Sequence, residues 1–283
     1  MILYKEAAAL KTQIEKIRQS GKKIGFVPTM GALHKGHLSL IKLSQQQCDI
    51  TICSIFVNPA QFNDPKDFEK YPATINNDIL LLENARCDIL FYPAVAEIYP
   101  EGISSSYHYD LGEIENLLEG KYRPGHFQGV CRVMHRLLNI VNPDKLFIGQ
   151  KDYQQCLVIK RLAQLIDCTV EIIVGETLRE ATGLAMSSRN LRLNEEEKKK
   201  AAGISKMLGY MKTNFLTTPI KQLEKHAADY LLTAGFNKID YVSIADAATL
   251  QPAEDSSKSK PLVTLIAAFI GEVRLIDNIF LGE

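Results

Sequence analysis

The sequence predicts an α/β fold, a doubly wound parallel sheet followed by a smaller C-terminal α+β domain, on three observations. Between residues 23 and 174, five short apolar runs rich in β-branched residues alternate with segments of helical period. Glycine-containing and polar stretches fall at or just beyond the carboxyl ends of those runs, which is where open parallel sheets bind their ligands. After about residue 176 the alternation stops, and two helical patterns precede three strand-like runs.

The N-terminal stretch MILYKEAAALKTQIEKIRQSGKK has the pattern of an amphipathic helix. A first strand is expected over 23–27, a helix over 37–47 and a second strand over 49–57, ended by Asn58-Pro59. A polar loop with Gln61, Phe62 and Asp64 follows, then a helix over 74–86 and a third strand from Cys87 to Tyr92, stopped by Pro93. Helix 127–141, strand 144–149, helix 152–166 and strand 169–174 complete a Rossmann-like first domain, taken as 1–176. In the second domain, 177–283, Asn194 is expected to cap a long helix whose first turn carries Glu195, Glu196 and Glu197. A helix over 218–234 and strands over 238–245, 262–270 and 272–280 follow.

Composition narrows the function classes. The 283 residues carry 33 Lys plus Arg against 33 Asp plus Glu, so no general field recommends a nucleic acid or an anionic membrane. The longest late apolar run, Leu262 to Ile270, is too short to span a bilayer. Six cysteines without a C-x-x-C pair suit free, buried thiols in a reducing compartment. These features predict a soluble cytoplasmic protein without a structural zinc and leave small anionic ligands open.

The stretch FVPTMGALHKGH, 26–37, is the densest in chemistry. It reads as strand, turn and helix start, a junction that directs N–H groups and the positive end of a helix dipole toward whatever lies above the strand, favouring a phosphate. His34 and His37 share one helix face, with Gly36 between them allowing close backbone approach. A helix cap with two solvated histidines is the plain alternative. Lys151, after Gly149 and Gln150 at the end of the fourth strand, offers an ammonium for phosphate oxygens. Asp152 beside it either caps the next helix or holds a ribose or metal-bound water. Met186, Ser187, Ser188 and Arg189 supply two hydroxyls and a guanidinium within four residues, donors in a short span that by themselves read as a polar linker.

The run PTMGALHKGH is similar to the His-x-Gly-His signature of the nucleotidyltransferase superfamily, and with FVNPAQF (56–62), YRPGHFQGV (122–130), FIGQKDYQQ (147–155) and GLAMSSRN (183–190) it resembles the pantoate-β-alanine ligase family. The resemblance implies an ATP-dependent, AMP-forming ligase that makes an acyl adenylate from pantoate and passes the acyl group to β-alanine. It implies an ATP site formed by Met30, Gly31, Ala32, Leu33, His34, Lys35, Gly36, His37, Gly149, Gln150, Lys151, Asp152, Leu178, Met186, Ser187, Ser188 and Arg189. Among these, His34, His37, Lys151 and Arg189 would act on the reacting phosphates. Gln61 and Gln155, with Asn58 assisting, would hold pantoate, and Gln61 would also border β-alanine. Magnesium would arrive with ATP rather than in a protein-built cage, and a homodimer is implied through the N-terminal domain.

The sequence departs from the family's usual residues at Glu176, Leu178, Thr182 and Arg132, around the expected adenine pocket and its loop. Arg123 and His126 fit a structural turn or a ligand contact equally. His108, His135 and His226 are assigned to surface or core. Two other functions share part of this pattern: transfer of AMP to a phosphate acceptor, and a non-catalytic nucleotide- or tRNA-binding module, tRNA being disfavoured by zero net charge and the absence of a basic stripe.

Overall fold

In the computed structural model, which describes residues 1–63, 65–103 and 107–282, six parallel strands make up the first sheet, one more than expected. Asp64, expected in the loop after the second predicted strand, lies outside the described residues. The elements run β1 (Ile2–Tyr4), α1 (Ala7–Gln19), β2 (Ile24–Thr29), α2 (Lys35–Gln47), β3 (Ile50–Ile55), α3 (Pro65–Glu69), α4 (Ile75–Asn84), β4 (Ile89–Phe91), α5 (Val95–Ile98) and α6 (Leu118–Tyr122). They continue with α7 (His126–Val141), β5 (Lys145–Gly149), α8 (Tyr153–Leu165), β6 (Glu171–Gly175), α9 (Glu195–Ala201), α10 (Gly203–Asn214), α11 (Ile220–Thr233), β7 (Lys238–Asp246), β8 (Leu262–Ile270) and β9 (Val273–Leu281). The additional strand, β1, comes from residues that the sequence pattern merges into the first helix. It pairs with β4 at the sheet edge.

The chain divides into two units: Met1–Glu115, Arg123–Gly149 and Gln155–Glu176 in the first, and Asn116–Tyr122, Gln150–Gln154 and Thr177–Glu283 in the second. Residues 116–122 and 150–154, read from sequence as part of the first domain, therefore group with the second unit.

The first unit is a doubly wound sheet of order β1-β4-β3-β2-β5-β6. Its strands alternate between two cores. Ile24, Phe26, Ile52, Ile89, Phe91, Leu146 and Ile148 pack with α1, α7 and α8, whereas Val27, Cys53, Ile55, Leu90 and Phe147 pack with α2 and α4. Burial on both faces explains why these strands read as continuous apolar runs. At their N-terminal ends, Asp49, Asp88 and Asp144 accept the backbone N–H groups of Lys23, Thr51 and Ile24 at 2.7 to 2.8 Å. A β-carbon on Gly25 would lie 2.1 Å from Ser44 Oγ, so α2 approaches the sheet as closely as it does only over a glycine.

In the second unit an antiparallel sheet, β7-β8-β9, is covered by α10 and α11 through Ile204, Met207, Met211, Leu223, Ala227 and Ile266. Asn194 caps α9, as expected, and Glu197 reciprocates in a capping box, but the predicted long helix is two helices separated at Ala202. Residues 116–122 join this unit through a buried ionic group. Arg274 grips Glu119 with two hydrogen bonds of 2.8 and 2.7 Å and Asp240 with a third of 2.8 Å, while the Tyr241 hydroxyl donates to Glu119 at 2.7 Å. Burial works against the Arg274 charge, but the bonds to both carboxylates outweigh it and hold the guanidinium above its ordinary value.

All six cysteines are free thiols, and Cys53, Cys87, Cys131 and Cys156 are buried. Burial pushes Cys87 and Cys131 up to about 12 from the ordinary 9.0. In the native protein at pH 8, iodoacetamide should label Cys48 and Cys168 well before these two, with denatured protein labelled throughout, as read by peptide mass spectrometry. Because the folded thiols titrate above the unfolded ones, their contribution to stability is complete below pH 9 and is lost between about 9 and 12.

Candidate active site

At the carboxyl end of β2 the backbone turns through left-handed conformations at Gly31 and Ala32, with φ of 84° and 49°, before α2 begins. Ala32 is an L-residue held where only glycine is comfortable, which requires support from its surroundings. A buried carboxylate supplies it. Asp78, on α4 and 1% exposed, accepts the N–H groups of Ala32 and Leu33 at 2.9 and 2.8 Å and the Thr74 hydroxyl at 3.1 Å. Thr29 Oγ1 accepts the Gly31 N–H at 3.3 Å while donating to the Ser54 carbonyl at 2.7 Å.

The histidines follow directly. His34 is the N-cap of α2: its Nδ1 accepts the Gly36 N–H at 3.1 Å, and His37 Nδ1 accepts the His34 N–H at 3.3 Å, a reciprocal capping box made by two imidazoles. The rings lie 4.0 Å apart. An acceptor at Nδ1 places the hydrogen of each neutral ring on Nε2. This alters the expectation from sequence, since the amides of residues 31–34 and 36 are engaged within the protein. The helix-cap reading of the two histidines is therefore what the structure shows.

Asn58 and Gln61 stand in the loop after β3. Asn58 is 1% exposed and its amide is fully used: Oδ1 accepts from the Tyr99 hydroxyl at 2.7 Å and Ala60 N at 3.2 Å, and Nδ2 donates to the Gly129 carbonyl and to Gln61 Oε1, both at 3.1 Å. Its place is therefore behind Gln61, orienting it. With Oε1 facing Asn58, Gln61 presents Nε2 as a donor, here directed at Met30 Sδ. Close packing supports the loop, since a β-carbon on Gly129 of α7 would lie 2.0 Å from the Ala60 carbonyl oxygen. His126 donates from Nδ1 to the Gln61 carbonyl at 2.8 Å, and Arg123 Nη1 approaches His126 Nε2 at 3.1 Å. The RPGHF segment thus supports the same loop. Gly149 and Gln155 also belong to this unit, Gln155 half-buried on α8.

The second unit carries the other candidates. Gln150, Lys151 and Asp152 form a single turn, with Lys151 Nζ 3.9 Å from Asp152 Oδ1. Leu178 begins a hairpin: its carbonyl accepts the Met186 N–H at 2.9 Å, Arg179 bridges to Ala185, and Gly183 turns the chain at φ 90°. Its side chain is exposed. Ser187 caps the following turn by accepting the Arg189 N–H at 3.3 Å, Ser188 is buried, and Asn190 holds Glu180 and the Ala185 carbonyl at 2.9 and 3.0 Å. Among the described residues no three His, Cys, Asp or Glu side chains are grouped to hold a metal ion.

Sequence reasoning missed Asp78, Tyr99, Asp277 and Asn278. Nothing local to an aspartate in a helix marks it as the acceptor for a distant turn, and only the tertiary structure identifies it. Asp78→Asn should place an amide donor against a backbone donor and lower stability by about 1–3 kcal/mol in urea unfolding. An unchanged midpoint would show that the turn holds itself.

A family model described as pantoate-beta-alanine ligase matches residues 2–280. A pantothenate synthetase of Azobacteroides pseudotrichonymphae is 43% identical over 280 residues, covering 99% of each chain. Among solved structures, a pantothenate synthetase from Thermus thermophilus is 36% identical with a TM-score of 0.91, covering 99% of each chain. The pantoate-beta-alanine ligase of Francisella tularensis, complexed with beta-gamma ATP and beta-alanine, is 38% identical with a TM-score of 0.81 and is 97% covered, against 99% of this chain.

Proposed function

The chain belongs to the pantoate-β-alanine ligase family, and from that membership we propose that it joins (R)-pantoate to β-alanine with cleavage of ATP, giving pantothenate, AMP and diphosphate. A carboxylate oxygen of pantoate attacks the α-phosphorus and the bond to the β-phosphate breaks. The amine of β-alanine then attacks the carbonyl of the pantoyl adenylate, AMP leaves and the amine gives up a proton.

The observation that carries the proposal is the family match over residues 2–280, and the feature of the fold that best suits it is the imidazole capping box at the start of α2. Two N–H donors on one helix end, fixed in tautomer by the backbone they cap, suit a phosphate chain whose charge grows during attack. Lys151 and Arg189 are assigned cationic roles at the α-phosphate and the departing diphosphate, with Ser187 and Ser188 beside them. Gln61 and Gln155 are assigned to the hydroxyls and carboxylate of pantoate, Gln61 through the Nε2 donor that Asn58 leaves it. Leu178 is assigned to adenine through its backbone. Magnesium enters as the ATP complex, held by phosphate oxygens and water. Holding carboxylate and α-phosphorus in line is worth roughly 7 to 11 kcal/mol, more than one proton transfer supplies, so positioning is the main contribution.

By the same reading residues 1–176 form the nucleotide- and pantoate-binding domain, residues 177–283 act as a lid that adds Leu178, Ser187, Ser188 and Arg189 to the nucleotide site, and the enzyme is a cytoplasmic homodimer. Its other partners are small molecules. Among the described residues no helix is long and apolar enough to cross a membrane.

The deciding experiment is exchange of labelled pyrophosphate into ATP with pantoate and magnesium present and β-alanine absent. Exchange is expected, and Lys151→Ala should reduce it by about 100-fold or more while the protein stays folded. Exchange that requires a phosphate acceptor would indicate AMP transfer, and ADP formation would indicate an acyl phosphate.

Gln61→Ala and Gln155→Ala should each raise KM for pantoate about 5- to 150-fold, the loss of one buried hydrogen bond, with KM for ATP within twofold. Equal effects on both substrates would contradict the assignment.

A further inference from the structure

Where the burial pattern of β9 breaks, two consecutive polar residues, Asp277 and Asn278, are only 4% and 3% exposed. Buried carboxylates and amides reduce stability unless they are bonded, and these two are bonded to separate segments. Arg179 donates to Asp277 through Nη1 at 2.5 Å and Nη2 at 3.1 Å, and Nη1 also reaches the Gly183 carbonyl at 3.1 Å, across its own hairpin. Asn278 Nδ2 donates to the carbonyls of Gln150 and Lys151 at 3.0 and 2.9 Å, and Gln150 Nε2 donates back to Asn278 Oδ1 at 3.3 Å. The Asn278 N–H donates to Asp277 Oδ1 at 2.8 Å, tying the pair together. Consecutive strand residues project to opposite faces, so one dipeptide can serve two segments.

We propose that Asp277 and Asn278 are positioning residues for adenylate formation: Asn278 sets the turn that carries Lys151, and Asp277, through Arg179, sets the hairpin that delivers Ser187, Ser188 and Arg189. The inference rests on the ligase reading above and deepens it. Asn278 bonds the Gln150 side chain of the expected ATP site, but neither residue bonds the side chains assigned to the reacting phosphates, those of His34, His37, Lys151, Ser187, Ser188 and Arg189. Each fixes the backbone from which such side chains extend, and a charge-assisted two-point bond does so with a defined orientation. Both segments lie in loops, where precision has to come from outside the loop, and a strand paired along its length is the stiffest element available to supply it.

The test uses full-length protein with Asn278→Asp, Asp277→Asn and Arg179→Lys, each close in size to the residue replaced. Hydrogen exchange of the free protein should speed up by about tenfold or more at residues 150–153 in Asn278→Asp and at 179–186 in the other two. In the same variants kcat for pyrophosphate exchange should fall about 10- to 100-fold, with KM for pantoate within twofold. The Asp277→Asn/Arg179→Lys double variant should be little worse than either single one, because both remove the same bond. Unchanged hydrogen exchange in all three variants would overturn the clamp. Faster exchange with unchanged kcat would overturn its part in catalysis, and so would a pantoate KM that rises as much as kcat falls. A wild type that does not exchange pyrophosphate sinks the ligase reading instead, and the hydrogen-exchange result alone then decides the clamp.

Discussion

One buried carboxylate conditions the first half of the candidate site. The turn from β2 into α2 needs Gly31 and Ala32 in left-handed conformations, and Asp78 stabilises it by taking the amides of Ala32 and Leu33 while the Thr74 hydroxyl supplies its third donor. With those amides occupied, His34 arrives at the N-cap and the two imidazoles complete the helix start between them. The glycine of the turn belongs to the same arrangement, since a β-carbon on Gly31 would sit 3.1 Å from Asp78 Oδ2.

The fold was largely legible in the sequence because its strands are buried on both faces. Ile50 to Ile55 and Lys145 to Gly149 stand out as apolar runs whatever surrounds them. The strand β1 was not legible: three residues at a sheet edge, followed by Lys5 and Glu6, carry no alternation that separates them from the helix beyond. Nor was the break at Ala202 read, although Gly203 follows it, since a single glycine inside a helical pattern is often tolerated.

The candidate site was legible in its motifs and opaque in its supports. His34, His37, Gln61, Lys151 and Arg189 lie in stretches of unusual wording, whereas Asp78, Tyr99, Asp277 and Asn278 each act on a segment far away in sequence. Such residues are defined by the acceptor or donor they meet, and a linear pattern does not contain that partner. Asn58 shows the intermediate case. It lies within a legible motif, but its saturated hydrogen bonds place it behind Gln61 instead of beside it.

The buried group of Arg274, Glu119, Asp240 and Tyr241 bears on how this protein can be taken apart. Glu119 enters the second unit from a segment that the chain supplies long before residue 177, as does Gln154, which accepts the Glu119 N–H at 2.9 Å. A fragment cut at 176/177 would retain Arg274 and Asp240 without the carboxylate that satisfies two of the guanidinium's bonds, and stranding one member of a buried ionic group typically costs about 3–5 kcal/mol. A small sheet with two covering helices has little stability in reserve against such a loss. The unit is therefore compact in space but discontinuous in heredity: a gene segment encoding residues 177 onward does not encode a self-sufficient module, and recombination at that boundary would have to bring the 116–122 and 150–154 segments with it.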